Sequence, residues 1–505
     1  MSNVLRLSRV NGWLAVALAL AAVLVALNWV GYDGADDRSY ALGAEAWFRH
    51  FPAVGADHWA TRHTVVLPVA LSLALFGRHE FALAVPSLVY FFGFLAVNFH
   101  FARRLVNERV AGVLVMGLAA TPAFVVQASY INIDIAEAFF ASLSFWLFLA
   151  GTRGGGAAAM FAAGAAAGLA FLTRETSLVL AVFFAVCFLF DAIPARRQYA
   201  WLALGFIAAV GAEMAYFGAM TGDVFYRYHL DAHHDVVSRA GELRHMANSG
   251  AALDRQGNLS LSLWADPFLM LFASQKYGLL FWLAIPLAAW TFRRRDPAQL
   301  DRLALRRAAL LMLLWIAFLS LAFPVLYLVP RYYIVPAWAG VLLSAFAATV
   351  FWRARPILVC AAAAALLAVN ALSLYVENTD PRFAEHALVA WLKRNPHATV
   401  RVDPDMARRS DLLLSFAGLE GRAREGVPRA GDLFVFSPRN LALCDEQGPC
   451  RPREHLYDPK PGWTKITSLP GRPRAIPAAL ARFLPHQILE KLENPAPGIT
   501  IYRVH

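Results

Sequence analysis

The chain has 505 residues, 59% of them hydrophobic and only 16% charged, with a formal net charge of +11. Soluble domains run near ~45–50% apolar and ~25% charged, so a water-soluble globule, a disordered chain, a collagen and a small disulfide scaffold are all excluded. A mean hydropathy of +0.48 and blocks such as Gly12–Val30, Phe81–Ala102 and Arg355–Tyr375, each long enough for a ~30 Å hydrocarbon core, predict a polytopic α-helical membrane protein.

The positive charge is placed between apolar blocks, at Arg103–Arg104, Arg196–Arg197, Arg293–Arg294–Arg295 and Arg353 with Arg355. Lys and Arg take such positions when they hold loops in the cytoplasm. No basic face is interleaved with aromatics, so nucleic acid is not an expected partner. The first block follows a basic start at Arg6 and Arg9. It is longer than a signal-peptide core and reads as a retained signal anchor.

With the N-terminus inside, residues Asp33–Thr61 fall outside. Two helical stretches follow, Arg38–Arg49 and His63–Phe76; the second is placed along the outer interface, because a crossing there would put Arg103, Arg104 and Arg109 outside. Spans are then expected at Phe81–Ala102, Val110–Val126, Ala136–Ala150, Ala157–Leu172, Ser177–Phe190, Ala200–Gly218, Tyr277–Thr291, Ala308–Tyr327, Tyr332–Phe351 and up to Tyr375. That makes about eleven. Arg38, Arg62, Arg174 and Arg331 land outside, against the charge rule, and call for another explanation. The Ala-rich run Ala157–Ala170 reads as a small-residue face for helix packing.

Residues 377–505 change composition, with many Pro, Arg and Asp and no possible span. They are expected to form a small extracytoplasmic α/β domain behind a membrane domain of residues 1–376. Helices are predicted at His386–Arg394 and Asp405–Phe416, and strands at Thr399–Asp403, Asp432–Ser437 and Gly498–Val504. Cys444 and Cys450 stand at a spacing that a disulfide can close, which suits an oxidising compartment; two separate thiols are the alternative. Cys187 and Cys360 lie in apolar spans and read as packing residues.

Four groups carry chemistry. Asp36 and Asp37 follow the first span in Asp33-Gly-Ala-Asp-Asp-Arg-Ser-Tyr40. Adjacent carboxylates at a membrane surface repel, and are tolerable where a cation or a hydroxyl to be deprotonated uses them; a helix cap is the alternative. Asp134, in Asn132-Ile-Asp-Ile-Ala-Glu137, sits at the outer end of another span, again as acid or cap. Two acidic loops on one face suit a divalent ion held by Asp36 and Asp134, or a division of acid and base work. Arg174 and Arg331 match phosphate at the outer leaflet through bidentate guanidinium geometry, against an ion pair such as Arg174 with Glu175. In Tyr226–Asp235, His229 and His233 share a helix face in a way that zinc can use, against a plain polar loop.

The ordered set resembles the membrane-embedded glycosyltransferases of the GT-C type. It consists of Asp36-Asp37-Arg38-Ser39-Tyr40, Leu75-Phe76-Gly77, Phe81-Ala82, Pro86-Ser87, Ala102-Arg103-Arg104-Leu105, Ala120-Thr121-Pro122, Asp134, Phe171-Leu172-Thr173-Arg174, and Arg331-Tyr332 to Pro336. The nearest groups are family 39, the protein O-mannosyltransferase-like enzymes, and the aminoarabinose transferases acting on lipid A. The resemblance covers most of Asn11–Phe351. It implies a polyprenyl-phosphate sugar donor, a lipid, glycan or protein acceptor, and a site at the outer face of the cell membrane. It also implies Asp36, Asp37 and Asp134 as catalytic acids, with Tyr40, Arg62, Arg174, Arg331 and Tyr332 as substrate or phosphate contacts. The acidic pair is Asp-Asp where Asp-Glu is usual. Thr61-Arg62-His63 replaces a basic residue followed by Pro-Pro, which weakens the place of Arg62 in the set. A lipid-linked oligosaccharide ligase or polymerase and a transporter are the rival readings. A transporter calls for ionisable residues inside spans or broken helices in two related halves.

Overall fold

The computed structural model describes residues 12–32, 34–190, 196–233, 265–293, 300–322, 329–377, 383–438, 457–471 and 498–505, with a few isolated positions between 442 and 493. A helix lies over each of the eleven expected stretches. In chain order the helices are α1 (Gly12–Leu27), α2 (Asp36–Arg49), α3 (His63–Phe76), α4 (Glu80–Leu105), α5 (Glu108–Ala120), α6 (Pro122–Gln127), α7 (Asp134–Ala150), α8 (Gly156–Thr173), α9 (Val179–Phe190), α10 (Tyr199–Thr221), α11 (Tyr226–His233), α12 (Asp266–Phe272), α13 (Leu280–Arg293), α14 (Leu300–Ala322), α15 (Ile334–Phe351), α16 (Pro356–Glu377), α17 (Phe383–Arg394) and α18 (Pro404–Phe416). Among the described residues, six helical segments are long and apolar enough to cross a membrane. One of them, Asp134–Thr173, turns back at Gly151–Gly155 into the packed pair α7 and α8. The protein is a polytopic membrane protein.

Local chemistry sets these boundaries. α4 opens where His79 Nδ1 accepts the Ala82 N–H at 3.1 Å, and closes on Arg103 and Arg104 in its last turn, where cations meet the negative helix end. α5 opens where Asn107 accepts the Val110 N–H at 2.9 Å. The expected single span Val110–Val126 is in fact two helices. Pro122 lacks the N–H that would continue α5 and instead starts α6.

The small-residue face on α8 is realised. A Cβ on Gly164 would stand 1.8 Å from the Leu202 carbonyl oxygen, and one on Gly205 would stand 2.0 Å from that of Phe161. Only glycine admits this approach of α8 and α10. At the centre of the bundle, the buried Asn98 accepts the indole N–H groups of Trp146 at 2.8 Å and Trp338 at 2.5 Å. Three helices, α4, α7 and α15, are thereby tied through one amide.

α2 and α3 pack on each other. Together with the start of α4 they form a second apolar cluster, built on Tyr40, Ala44, Trp47, Val66, Val69 and Leu83. The C-terminal region forms a five-stranded sheet of order β2-β1-β3-β7-β6, with β1 Val400–Val402, β2 Ala423–Glu425, β3 Leu433–Phe436, β6 Thr464–Leu469 and β7 Ile499–Arg503. β4 (Ala442–Leu443) and β5 (Arg451–Pro452) make a separate short pair. β1 runs parallel to β2 and β3, while β7 runs antiparallel to β3, with Leu433 opposite Arg503 and Phe436 opposite Thr500. α17 and α18 cover this sheet. Leu412 and Leu413 at the end of α18 enter the α2–α3 cluster, so the C-terminal region rests on α2 and α3.

Candidate functional site

Neither acidic loop uses its key aspartate as a helix cap. Asn132 Oδ1 accepts the N–H groups of Asp134 at 2.9 Å and Ile135 at 3.2 Å; a local cap of that kind satisfies the helix start and leaves the Asp134 carboxylate free to turn inward. At α2 the capping position is Ala35, which has no side-chain acceptor. Asp37 is buried and accepts the Ala35 N–H at 2.8 Å. Asp36 points the other way.

Asp36 Oδ2 accepts from Arg331 Nη2 at 2.8 Å, joining positions 295 apart in the sequence. Both side chains keep access to solvent, 39% for Asp36 and 31% for Arg331. A 3₁₀ turn, Pro330–Tyr333, presents Arg331 at the head of α15, and the buried Tyr277 hydroxyl donates to the Pro330 carbonyl. Burial pushes the Asp36 carboxyl up. Arg331 beside it, with Arg62 and His58 farther off, outweighs that and holds it below the usual carboxylate range. Asp36 is therefore an anion at neutral pH.

Next to this pair lies a buried one. Arg174 donates to Asp134 and, at 2.8 Å, to Glu137 Oε2; the three side chains are 3%, 1% and 0% exposed. Glu137 Oε1 also accepts from Ser177 at 2.7 Å. The Tyr332 ring lies against the guanidinium, 4.5 Å from carbon to centroid. The two pairs are joined electrically, since Arg331 is also within reach of the Asp134 charge. The Asp134 oxygen Oδ2 is buried with no hydrogen-bond partner among the described residues. Arg174 forms an ion pair, as the alternative expects, but with Asp134 and Glu137 of α7 in place of Glu175.

Glu175 belongs to a second network. It accepts from Arg62 at 3.1 Å and from Arg227, and Arg227 reaches Glu213 at 3.0 Å. Glu213 in turn meets His63 Nδ1 at 3.2 Å. Arg62 also donates to the buried Tyr40 hydroxyl at 3.0 Å. Burial, and then Asp36 against the opposing Arg62, pushes that phenol up to about 12. Asp231 is pushed up to about 7 by burial first and by the Glu175 charge second. Tyr40 and Arg62, grouped with the phosphate contacts by resemblance, thus sit in this network beside the Asp36–Arg331 pair.

Of the two histidines in the zinc reading of α11, only the His229 side chain is described. His229 is exposed and pairs with Asp223 at 2.7 Å, and no group of three His, Cys, Asp or Glu gathers there among the described residues. The His233 side chain, and Cys444 with Cys450, lie outside the described residues. Asp36 and Asp134 each face a guanidinium rather than a third acid or imidazole, a donor set that fits an arginine better than a divalent cation.

Glu213 and Arg227 are the residues that the sequence reading misses. The signal was present: an ionisable residue inside the otherwise apolar α10 is costly unless paired.

Residues 65–216 match the family described as dolichyl-phosphate-mannose-protein mannosyltransferase. Among solved structures, ArnT from Cupriavidus metallidurans in the apo state aligns over 97% of this chain and 98% of its own, with a TM-score of 0.52 and 15% identity. This is the GT-C fold. The same ArnT bound to undecaprenyl phosphate aligns over 85% of this chain and 93% of its own, at 0.50 and 17%. The Archaeoglobus fulgidus oligosaccharyltransferase in the apo form aligns over 80% of this chain at 0.54 and 14%. The GT-C core described here spans only 63% of that archaeal protein's length. No match to the sequence is found among curated proteins.

Proposed function

We propose that the chain is a glycosyltransferase that moves a sugar from a polyprenyl-phosphate donor to a lipid, glycan or protein acceptor, with inversion at the anomeric carbon. The observation that carries the reading is the partly exposed Asp36–Arg331 pair standing on the buried Asp134–Arg174–Glu137 group. It offers a carboxylate and a guanidinium, both reachable, at one point on a GT-C fold. The family match and the undecaprenyl phosphate in the ArnT structure support the donor class.

In this reading Asp36 takes the proton from the acceptor group as its oxygen or nitrogen attacks the anomeric carbon. The bond from that carbon to the phosphate oxygen breaks, and its electron pair leaves with the lipid phosphate. Arg331 neutralises the departing phosphate, an electrostatic contribution to the transition state. Arg174, with both terminal nitrogens engaged, holds Asp134 and Glu137 behind the site and supports Tyr332. Asp37 holds the loop through the Ala35 N–H. No step passes through a metal. The Arg clusters support an inner-membrane protein with the site, and residues 377–505 as a separate domain, on the periplasmic side.

The experiment is a comparison of envelope glycans and lipids from a gene-deletion strain and its parent by mass spectrometry. A species that loses the mass of one sugar supports the proposal. Loss of an oligosaccharide increment supports the ligase or polymerase reading, and an unchanged profile overturns the function.

A further inference from the structure

The start of α2 is gripped from two sides. Asp36 and Arg38 are two residues apart and face opposite directions on the helix. Asp36 meets Arg331 of the membrane core. On the other side Arg38 Nε donates to Asp411 Oδ2 of α18 at 2.9 Å, and its Nη2 joins the same oxygen. Gly34, at φ +68°, lies where an added Cβ would stand 3.1 Å from the Arg409 Cα. The turn that leads into Asp36 therefore touches the α18 backbone with no side chain between. One turn on, Leu412 and Leu413 pack with Tyr40, Ala41, Ala44 and Trp47. Arg78 donates to Glu45 of α2 at 2.8 Å and to Ser415 of α18 at 3.0 Å.

We infer that Asp411 is a positioning residue which, through Arg38, fixes the helix start carrying Asp36. The inference rests on the reading of Asp36 as the reactive carboxylate. Its physical content is that the C-terminal region sets the aim of that carboxylate.

The test uses the full-length protein with Asp411→Asn and Asp411→Glu. Hydrogen exchange is read over residues 34–39, binding is read with undecaprenyl phosphate, and the species lost on gene deletion is followed in complemented cells at matched membrane abundance. Asp411→Asn is expected to raise exchange at 34–39 and to lower product by roughly two- to fivefold, the range that a part-exposed ion pair spans. Undecaprenyl phosphate affinity stays at the parental value, and Asp411→Glu restores both quantities. Parental exchange and product in Asp411→Asn overturn the inference. So does a loss that Asp411→Glu does not rescue and that spreads to exchange across the whole C-terminal region, which marks a structural role. Asp36→Asn, run in parallel, separates the two readings. If it abolishes product while Asp411→Asn does nothing, only the inference falls; if it too leaves product intact, the site reading falls with it.

Discussion

Two aspartate–arginine contacts stand side by side and differ in burial, the buried one sharing its arginine with Glu137. Arg174 with Asp134 and Glu137 is sealed from solvent, whereas Asp36 with Arg331 is about one-third exposed. Losing one partner of a sealed pair strands a charge in low dielectric, so the sealed group is a structural commitment. The open pair exchanges partners cheaply, and an incoming phosphate or hydroxyl can take the place of either one. In the proposed function the same two residue types thus serve as support in one place and as reagents in the other.

The comparison breaks most visibly through activity. Asp36→Asn keeps the size of the side chain and removes its charge, and is expected to abolish product in the complemented deletion strain with normal membrane abundance. Asp37→Asn is expected to be milder, because an amide oxygen can still accept the Ala35 N–H. Equal and near-parental product in both variants would return these residues to the role of helix start.

Stability is the second way to separate the pairs. Arg174→Gln leaves two buried carboxylates against each other, at a cost of about 3–5 kcal/mol, read as a lower midpoint of thermal unfolding in detergent. Arg331→Gln, at the open pair, costs about 0–1 kcal/mol. Equal midpoints in the two variants would remove the distinction.

A smaller effect lies in the pH profile. Arg331 is the main charge that counters burial at Asp36, so Arg331→Gln raises the pKa of that carboxyl. A base must be deprotonated to work, and activity falls as pH drops through its pKa. The acid limb of product formation in membrane vesicles therefore moves to higher pH in the variant. The stabilisation from the pair has the same sign: it is present above the ordinary carboxylate pKa and is lost as pH falls through the depressed one. An unmoved acid limb would show that Asp36 is not the group being titrated.

How much of this was legible in the sequence follows from what each signal depends on. The apolar blocks and the placement of arginines located the helices, because lipid forces length and composition on a span. The out-of-place Arg174 and Arg331 pointed to the candidate site for the same reason. What could not be read was partnership. Whether Arg174 turns to Glu175 or to Asp134 depends on how α7 and α8 close at Gly151–Gly155, a tertiary fact. Asn132 taking the cap of α7 was open to a local reading, since Asn is a strong capping residue, yet the choice between it and Asp134 depends on where the helix begins. The short β2 and β6 carry three and six residues with weak alternation, and they form only because β1 and β7 offer edges to pair with. The seat of α18 on α2 joins positions more than 370 apart in sequence, and no periodicity reports that.

The most direct test of the division between an open and a sealed pair is the affinity of the purified protein for undecaprenyl phosphate, measured for Arg331→Lys and Arg174→Lys together with thermal stability. Lysine keeps the charge and loses the planar fork. Arg331→Lys is expected to weaken binding by about 1.5–3 kcal/mol, roughly tenfold to a hundredfold, at the parental unfolding midpoint, while Arg174→Lys lowers the midpoint. Parental affinity in Arg331→Lys, or a midpoint lowered as much as in Arg174→Lys, would contradict the account.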